Sequence, residues 1–178
     1  MDIELVSSET VYKGKVFDVS RDIIREGENE YSREIVHHHG SIVIVPVFND
    51  RRVALVKQYR HPAKDRLFEI PAGTLLEGEL PEIGAKRELE EEIGVVCSKI
   101  EKLTEFYVSP GFLTEKMHVF LATGLTETSQ NLDDDEFLEV HKFTFEESFE
   151  MIANNLICDA KTMVGLILAG AKHGFFYK

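Results

Sequence analysis

Gly73-Thr74-Leu75-Leu76-Glu77-Gly78-Glu79, seven further residues, then Arg87-Glu88-Leu89-Glu90-Glu91-Glu92-Ile93-Gly94-Val95: this stretch decides the fold. Between Glu88 and Glu92 only Leu89 interrupts a row of four carboxylates. Like charges at helical spacing repel one another, and a nearby cation relieves them. Glu88, Glu91 and Glu92 lie three and four residues apart, so one helical face can carry all three. Carboxylate oxygens that converge on a point are what a hard ion such as Mg²⁺ takes as ligands. An ordinary solvated acidic face is the plainer reading of the same run.

The opposite face is aliphatic. Ala85, Leu89 and Ile93 recur at four-residue steps and are placed to bury against a core. Pro81 suits a first helical turn, Glu82 suits the positive N-terminal end, and Gly94 suits a left-handed C-cap. The stretch therefore reads as a loop followed by a helix with acids outward and aliphatics inward. Gly84 inside it is expected to loosen the helix by up to about 1 kcal/mol.

Glycine, five residues, glutamate, seven residues, then Arg-Glu-aliphatic-x-Glu-Glu-x-Gly-aliphatic resembles the Nudix hydrolase box, with every defined position matched. The resemblance implies an α/β (α+β) fold: an α/β/α sandwich around a mixed sheet. It also implies hydrolysis of a phosphoanhydride, with Mg²⁺ as cofactor and Mn²⁺ as a substitute. Glu88, Glu91 and Glu92 become metal ligands by both charge geometry and family position. The backbone carbonyl of Ala72 joins them by resemblance alone, with Gly73 letting the chain turn tightly beside the metal.

Family position gives Arg87 and Glu79 the task of bracing the loop and orienting the ligands. A surface ion pair is the plainer reading of Arg87. The general base is expected in the acidic tetrad Asp133-Asp134-Asp135-Glu136, because similar ADP-ribose enzymes carry their catalytic glutamate in such a loop. Glu136 is the choice and Glu139 the alternative. Crowding by neighbouring acids favours the proton-accepting role near neutral pH.

Flanking segments narrow the substrate. Gln58-Tyr59-Arg60-His61-Pro62 followed by Phe68-Glu69-Ile70-Pro71-Ala72-Gly73 resembles the ADP-ribose and nucleoside-diphosphate-sugar pyrophosphatases. Ser109-Pro110-Gly111-Phe112, with its proline 16 residues beyond Gly94, resembles the feature that marks the ADP-ribose subgroup. ADP-ribose is thus the expected substrate, cut to AMP and ribose 5-phosphate. Other nucleotide sugars such as GDP-mannose or ADP-glucose are the alternative, and a non-catalytic nucleotide-sensing module is the alternative of another class. Arg60 is placed to clamp a phosphate. Glu69 either bonds the base or braces the Pro71 loop.

The rest of the chain frames this site. A length of 178 residues, 43% apolar and 29% charged, fits a globular chain of about one domain. A net charge of −12 argues against nucleic acid as a partner. No stretch approaches the roughly 18 apolar residues of a membrane span, and no secretory signal opens the chain, so a cytoplasmic setting is expected. Cys97 and Cys158 lack ligand-like spacing and read as reduced thiols.

Residues 1–39 read as a small antiparallel β-meander with strands over 4–11, 16–25 and 31–38. By resemblance, this N-terminal sheet serves homodimerisation, leaving 40–178 as the catalytic domain. His37-His38-His39 ends the last of these strands, and alternation lets at most two of the rings point together, so it is not expected to hold the catalytic metal. Residues 41–48 and 52–59 are expected to form a hairpin turned by Asn49-Asp50. Further strands are expected over 100–108, 116–122 and 137–143. Helices are expected over 145–154 and 159–173, with N-caps at Thr144 and Asp159.

Overall fold

The computed structural model describes residues 2–132 and 136–174. Its elements run β1 (Ile3–Lys13), β2 (Asp18–Glu26), β3 (Asn29–His37), β4 (Ser41–Pro46), β5 (Val53–Arg60), β6 (Asp65–Glu69), β7 (Ala72–Thr74) and α1 (Pro81–Ile93). They continue with β8 (Val95–Tyr107), β9 (Lys116–Glu127), β10 (Leu138–Phe143), α2 (Phe145–Ala153) and α3 (Ala160–His173). The strands form sheets ordered β1-β2-β3, β10-β5-β6 and β7-β4-β9-β8. With three helices among the described residues, this is the expected mixed α/β architecture with an antiparallel N-terminal sheet.

The chain divides into two compact units. One holds the residues up to Ser41 together with Glu105–Met117; the other holds Ile42–Thr104 and the residues from His118 on. In the first, β1, β2 and β3 are the expected meander, with Asp18 opposite His37 at one end and Glu26 opposite Asn29 at the other. The Ser109–Phe112 turn belongs to this unit. Phe112 O accepts from Val36 N–H at 2.7 Å, and Thr114 N–H donates to Val36 O at 2.9 Å.

In the second unit the core gathers where aliphatic runs meet. Ile42 and Ile44 of β4, Ala54 and Val56 of β5, Ala85, Leu89 and Ile93 of α1, and Phe120 and Ala122 of β9 share one buried cluster. The predicted inner face of α1 is therefore its actual inner face. Its ends are also as predicted: Pro81 opens the first turn, and Gly94 at φ 62° sends its N–H to Glu90 O. Thr144 caps α2 in a reciprocal capping box with Glu147, and Asp159 caps α3 through Thr162 N–H.

Two local expectations fail. Asn49-Asp50 does turn the chain, with Arg51 N–H donating to Phe48 O at 2.8 Å. But among the described residues the two runs meet in one bridge, Val47 just past β4 with Val53, and β4 and β5 lie in different sheets. Both runs are aliphatic enough to be covered on two faces, and each satisfies its backbone with other partners: β5 with β6 and β10, β4 with β7 and β9. The stretch ahead of the helix, expected to be a loop from Gly73 on, opens with the end of the short strand β7, and β6 lies before it without having been expected. No helix among the described residues is long and apolar enough to cross a membrane.

Candidate active site

Helix α1 brings Glu88, Glu91 and Glu92 to one side. Glu92 is only 2% exposed and Glu88 9%, while Glu91 is half-buried. Burial, then the charge of Glu88, pushes the Glu92 carboxyl up to about 8. Burial also raises Glu88, against the opposing pull of Arg87. Glu136, in the loop before β10, lies within electrostatic reach of both Glu88 and Glu92 and adds to this crowding. Asp133, Asp134 and Asp135 lie outside the described residues. Glu139 is exposed on β10, its carboxylate 3.4 Å from the His141 ring.

One guanidinium answers most of this charge. Arg87 forks onto Glu79, its Nε and Nη2 each donating at 3.0 Å. Its Nη1 reaches Glu88 at 2.6 Å and Glu91 at 2.8 Å. The hydrogen bonds it donates to Glu79, then those to Glu88 and Glu91, hold Arg87 firmly charged, and Arg87 in turn holds Glu79 below the usual carboxylate range. Glu79 also accepts from Leu76 N–H at 3.1 Å, which closes the loop ahead of α1. Arg87 and Glu79 therefore pair directly, and the pair is half-buried rather than solvated at the surface.

Close approach explains two glycines here. A Cβ on Gly73 would lie 1.9 Å from a Glu88 carboxylate oxygen, so a larger residue there would displace the Glu88 carboxylate. A Cβ on Gly84 would come within 2.8 Å of the Glu79 carboxylate. Gly84 therefore makes room for the brace; loosening of the helix is a side effect of that fit.

The backbone N–H of Ala72 donates to Glu92 Oε2 at 3.2 Å, linking β7 to the far end of the carboxylate row. Thr128–Asn131, after β9, caps the C-terminal turn of α1: Asn131 N–H donates to Glu91 O at 3.0 Å and the Gln130 side chain to Glu92 O at 2.6 Å. Nothing in the sequence marked Gln130 as part of the site. A glutamine in a polar loop carries no signal of a partner 38 residues away.

As they stand, no three acidic, histidine or cysteine side chains among the described residues surround one point closely enough to hold a metal ion. Arg87 engages Glu88 and Glu91 while Glu92 turns to Ala72. The donor chemistry nonetheless fits a hard divalent cation. Glu79, Glu88, Glu91, Glu92 and Glu136 bring five carboxylates around Arg87, with Arg60 also in electrostatic reach of Glu92, and burial followed by the charge of Glu88 still pushes the Glu92 carboxyl up to about 8.

Arg60, at the end of β5, forks onto Glu69, with Nε and Nη2 each at 2.8 Å from a carboxylate oxygen. Arg60 also lies within electrostatic reach of Glu92, so this pair adjoins the carboxylate row. Glu69 is 1% exposed and binds a second cation, Lys161 of α3, which the sequence reading passed over. Burial pushes Glu69 up, but Arg60 and Lys161 outweigh it and hold the carboxylate below its usual range. Elsewhere, His37 Nε2 bonds Ser20 Oγ at 2.8 Å, and His38 Nδ1 accepts from Gly40 N–H at 3.1 Å.

The NUDIX domain model matches residues 37–162. The chain is 40% identical to an ADP-ribose pyrophosphatase of Bacillus subtilis (strain 168), over 91% of this chain and 89% of that one. It is 37% identical to a methanol dehydrogenase activator of Bacillus methanolicus, over 90% and 89%. A GDP-mannose pyrophosphatase of Yersinia pestis (strain Pestoides F) is 32% identical over 90% and 83%. A solved structure described as an ADP compounds hydrolase superposes with a TM-score of 0.87 at 19% identity, covering 98% of this chain and 95% of that one.

Proposed function

The chain belongs to the Nudix family, and from that premise we propose that it is an Mg²⁺-dependent pyrophosphatase that hydrolyses ADP-ribose to AMP and ribose 5-phosphate. The observation that carries this reading is the buried carboxylate row of α1, locked by Arg87 and Glu79 and faced by Glu136. The identity to ADP-ribose pyrophosphatases over most of the chain supports the substrate.

Glu88, Glu91 and Glu92, with the Ala72 carbonyl, would hold the cation. When bound, it neutralises the diphosphate and makes water a better nucleophile. Glu136 takes the proton of the attacking water. The water oxygen bonds to one phosphorus as the bridging P–O bond breaks, and the displaced phosphate leaves as the second product. Arg87 and Glu79 hold the ligands in place from behind. Arg60 presents its charge to the diphosphate, and Glu69, paired with Arg60 and Lys161, holds Arg60 rather than the base or the Pro71 loop. A homodimer fits the same reading, since β1 exposes Ile3, Leu5 and Val11 on the N-terminal sheet.

The 32% identity to GDP-mannose pyrophosphatases favours a second reading, a hydrolase of broader nucleotide-sugar range. The test is product analysis with Mg²⁺ and a matched panel of ADP-ribose, ADP-glucose, GDP-mannose, UDP-glucose and a nucleoside triphosphate. AMP and ribose 5-phosphate formed much faster than any other pair supports ADP-ribose. Equal or faster cleavage of the hexose conjugates moves the assignment to the broader class, and no turnover on any of them sinks both readings.

A further inference from the structure

We propose that Lys161 is a positioning residue for substrate binding: from the first turn of α3 it holds Glu69, and through Glu69 it aims the Arg60 guanidinium and offsets the negative charge beside it. The proposal rests on the reading that Arg60 meets an anionic diphosphate.

Lys161 is unlike an ordinary helix-surface lysine. Its side chain is 11% exposed, and its ammonium bonds both Glu69 and, at 3.0 Å, the Asp159 carboxylate. Glu69 has two oxygens and two cations: Arg60 forks onto both oxygens, and Lys161 shares Oε2. The same corner is tied down twice more. Asp159 accepts from Thr162 N–H at 3.0 Å, and Thr162 Oγ1 accepts from Ile70 N–H at 2.9 Å, one residue past Glu69. The start of α3 is thereby fixed to the end of β6.

Charge decides the consequence. Arg60 and Lys161 balance Glu69 and Asp159, so the network as a whole is neutral. Without Lys161 it carries one net negative charge close to the point where an anionic substrate must approach. Glu69 would then draw on Arg60 alone, and Arg60 would offer the diphosphate less attraction. Arg60 uses Nε and Nη2 on Glu69, and among the described residues no hydrogen bond engages its Nη1. That edge keeps its direction only while Glu69 stays in place.

The test measures ADP-ribose affinity in chelator, where binding proceeds without turnover, alongside KM and kcat with Mg²⁺. Lys161→Met should weaken binding and raise KM roughly tenfold, the scale of one partly screened charge at close range, with kcat changed far less. Lys161→Arg should stay within about threefold of the parent. Asp159→Asn keeps a good N-cap residue and makes the network net positive, so it should tighten binding. Affinity unchanged in folded Lys161→Met, with only the melting temperature lowered, would overturn the proposal. If Lys161→Met does not fold, Asp159→Asn decides, and unchanged or weaker binding there overturns it. A parent protein that binds ADP-ribose but cleaves nothing would sink the proposed reaction while these affinities still judge Lys161.

Discussion

Strands β4 and β1 make an instructive pair. All six residues of β4, Ser41–Pro46, are buried; all eleven of β1, Ile3–Lys13, are exposed. Both contain β-branched and aliphatic residues, so propensity does not separate them. Context does. β4 lies between β7 and β9 with the inner face of α1 in its cluster, whereas among the described residues β1 has β2 as its one strand neighbour. The buried cluster gathers around β4 and α1, and α1 also carries the carboxylate row. Side chains of β1 meet β2 yet stay exposed: Arg25 donates to Glu4 at 2.9 Å and Ser8 to Asp22 at 2.6 Å.

Four experiments would break or sharpen that contrast, and the largest effect belongs to the site. Glu92→Gln should lower kcat/KM at least roughly a thousandfold, the scale for removing a group that acts on the reacting centre, while far-ultraviolet circular dichroism stays unchanged. Activity within tenfold of the parent would remove Glu92 from the chemistry. Next comes the direct comparison. Ile44→Ala empties a fully buried position and should destabilise by about 2–5 kcal/mol in urea, whereas Leu5→Ser, at a 59% exposed position, should shift a dilute monomer by less than about 0.5 kcal/mol. A large loss from Leu5→Ser that grows with protein concentration would show β1 covered by a second copy.

The third concerns pH. Burial raises the folded carboxyl of Glu92 to about 8, above its ordinary 4.5, so the folded state holds the extra proton. Stability from this group is complete below pH 4.5 and is lost as pH rises through 8. In chelator the melting temperature of the parent should therefore fall across this window by more than that of Glu92→Gln, and Mg²⁺ should reverse the difference. Parallel curves for the two proteins would contradict the burial argument. The smallest effect is Thr144→Ala, which removes the hydroxyl that accepts from Glu147 N–H, leaves the backbone half of the α2 capping box, and should cost about 1 kcal/mol in the same urea assay.

What could be read in the sequence follows the range of the interactions. Helix α1 was legible because its signals are local: Pro81, the four-residue aliphatic step and Gly94 all act within one element. Arg87 and Glu79 were legible because their spacing is short and the resemblance names both. Lys161 and Gln130 were not, since their partners Glu69 and Glu92 lie 92 and 38 residues away. The parting of β4 from β5 was hidden for a related reason. Two aliphatic runs and a two-residue turn look alike whether they pair with each other or with strands elsewhere. Gly84 read as a weak helix position because the carboxylate it makes room for comes from outside the helix.

The clasp between Thr128–Asn131 and the last turn of α1 also bears on the order of folding. Thr128 N–H donates to Gly94 O at 2.7 Å and Asn131 N–H to Glu91 O at 3.0 Å. Those carbonyls are the ones a helix end leaves without intrahelical partners. They cannot be met until β8 and β9 have brought the chain back, a loop closure spanning more than thirty residues. A chain emerging from the ribosome therefore carries its carboxylate row on a helix with a frayed end until residue 131 is out. The machinery with the strongest signature in the sequence is thus expected to be among the last parts to become rigid, and amide exchange over residues 91–94 during refolding would time that closure.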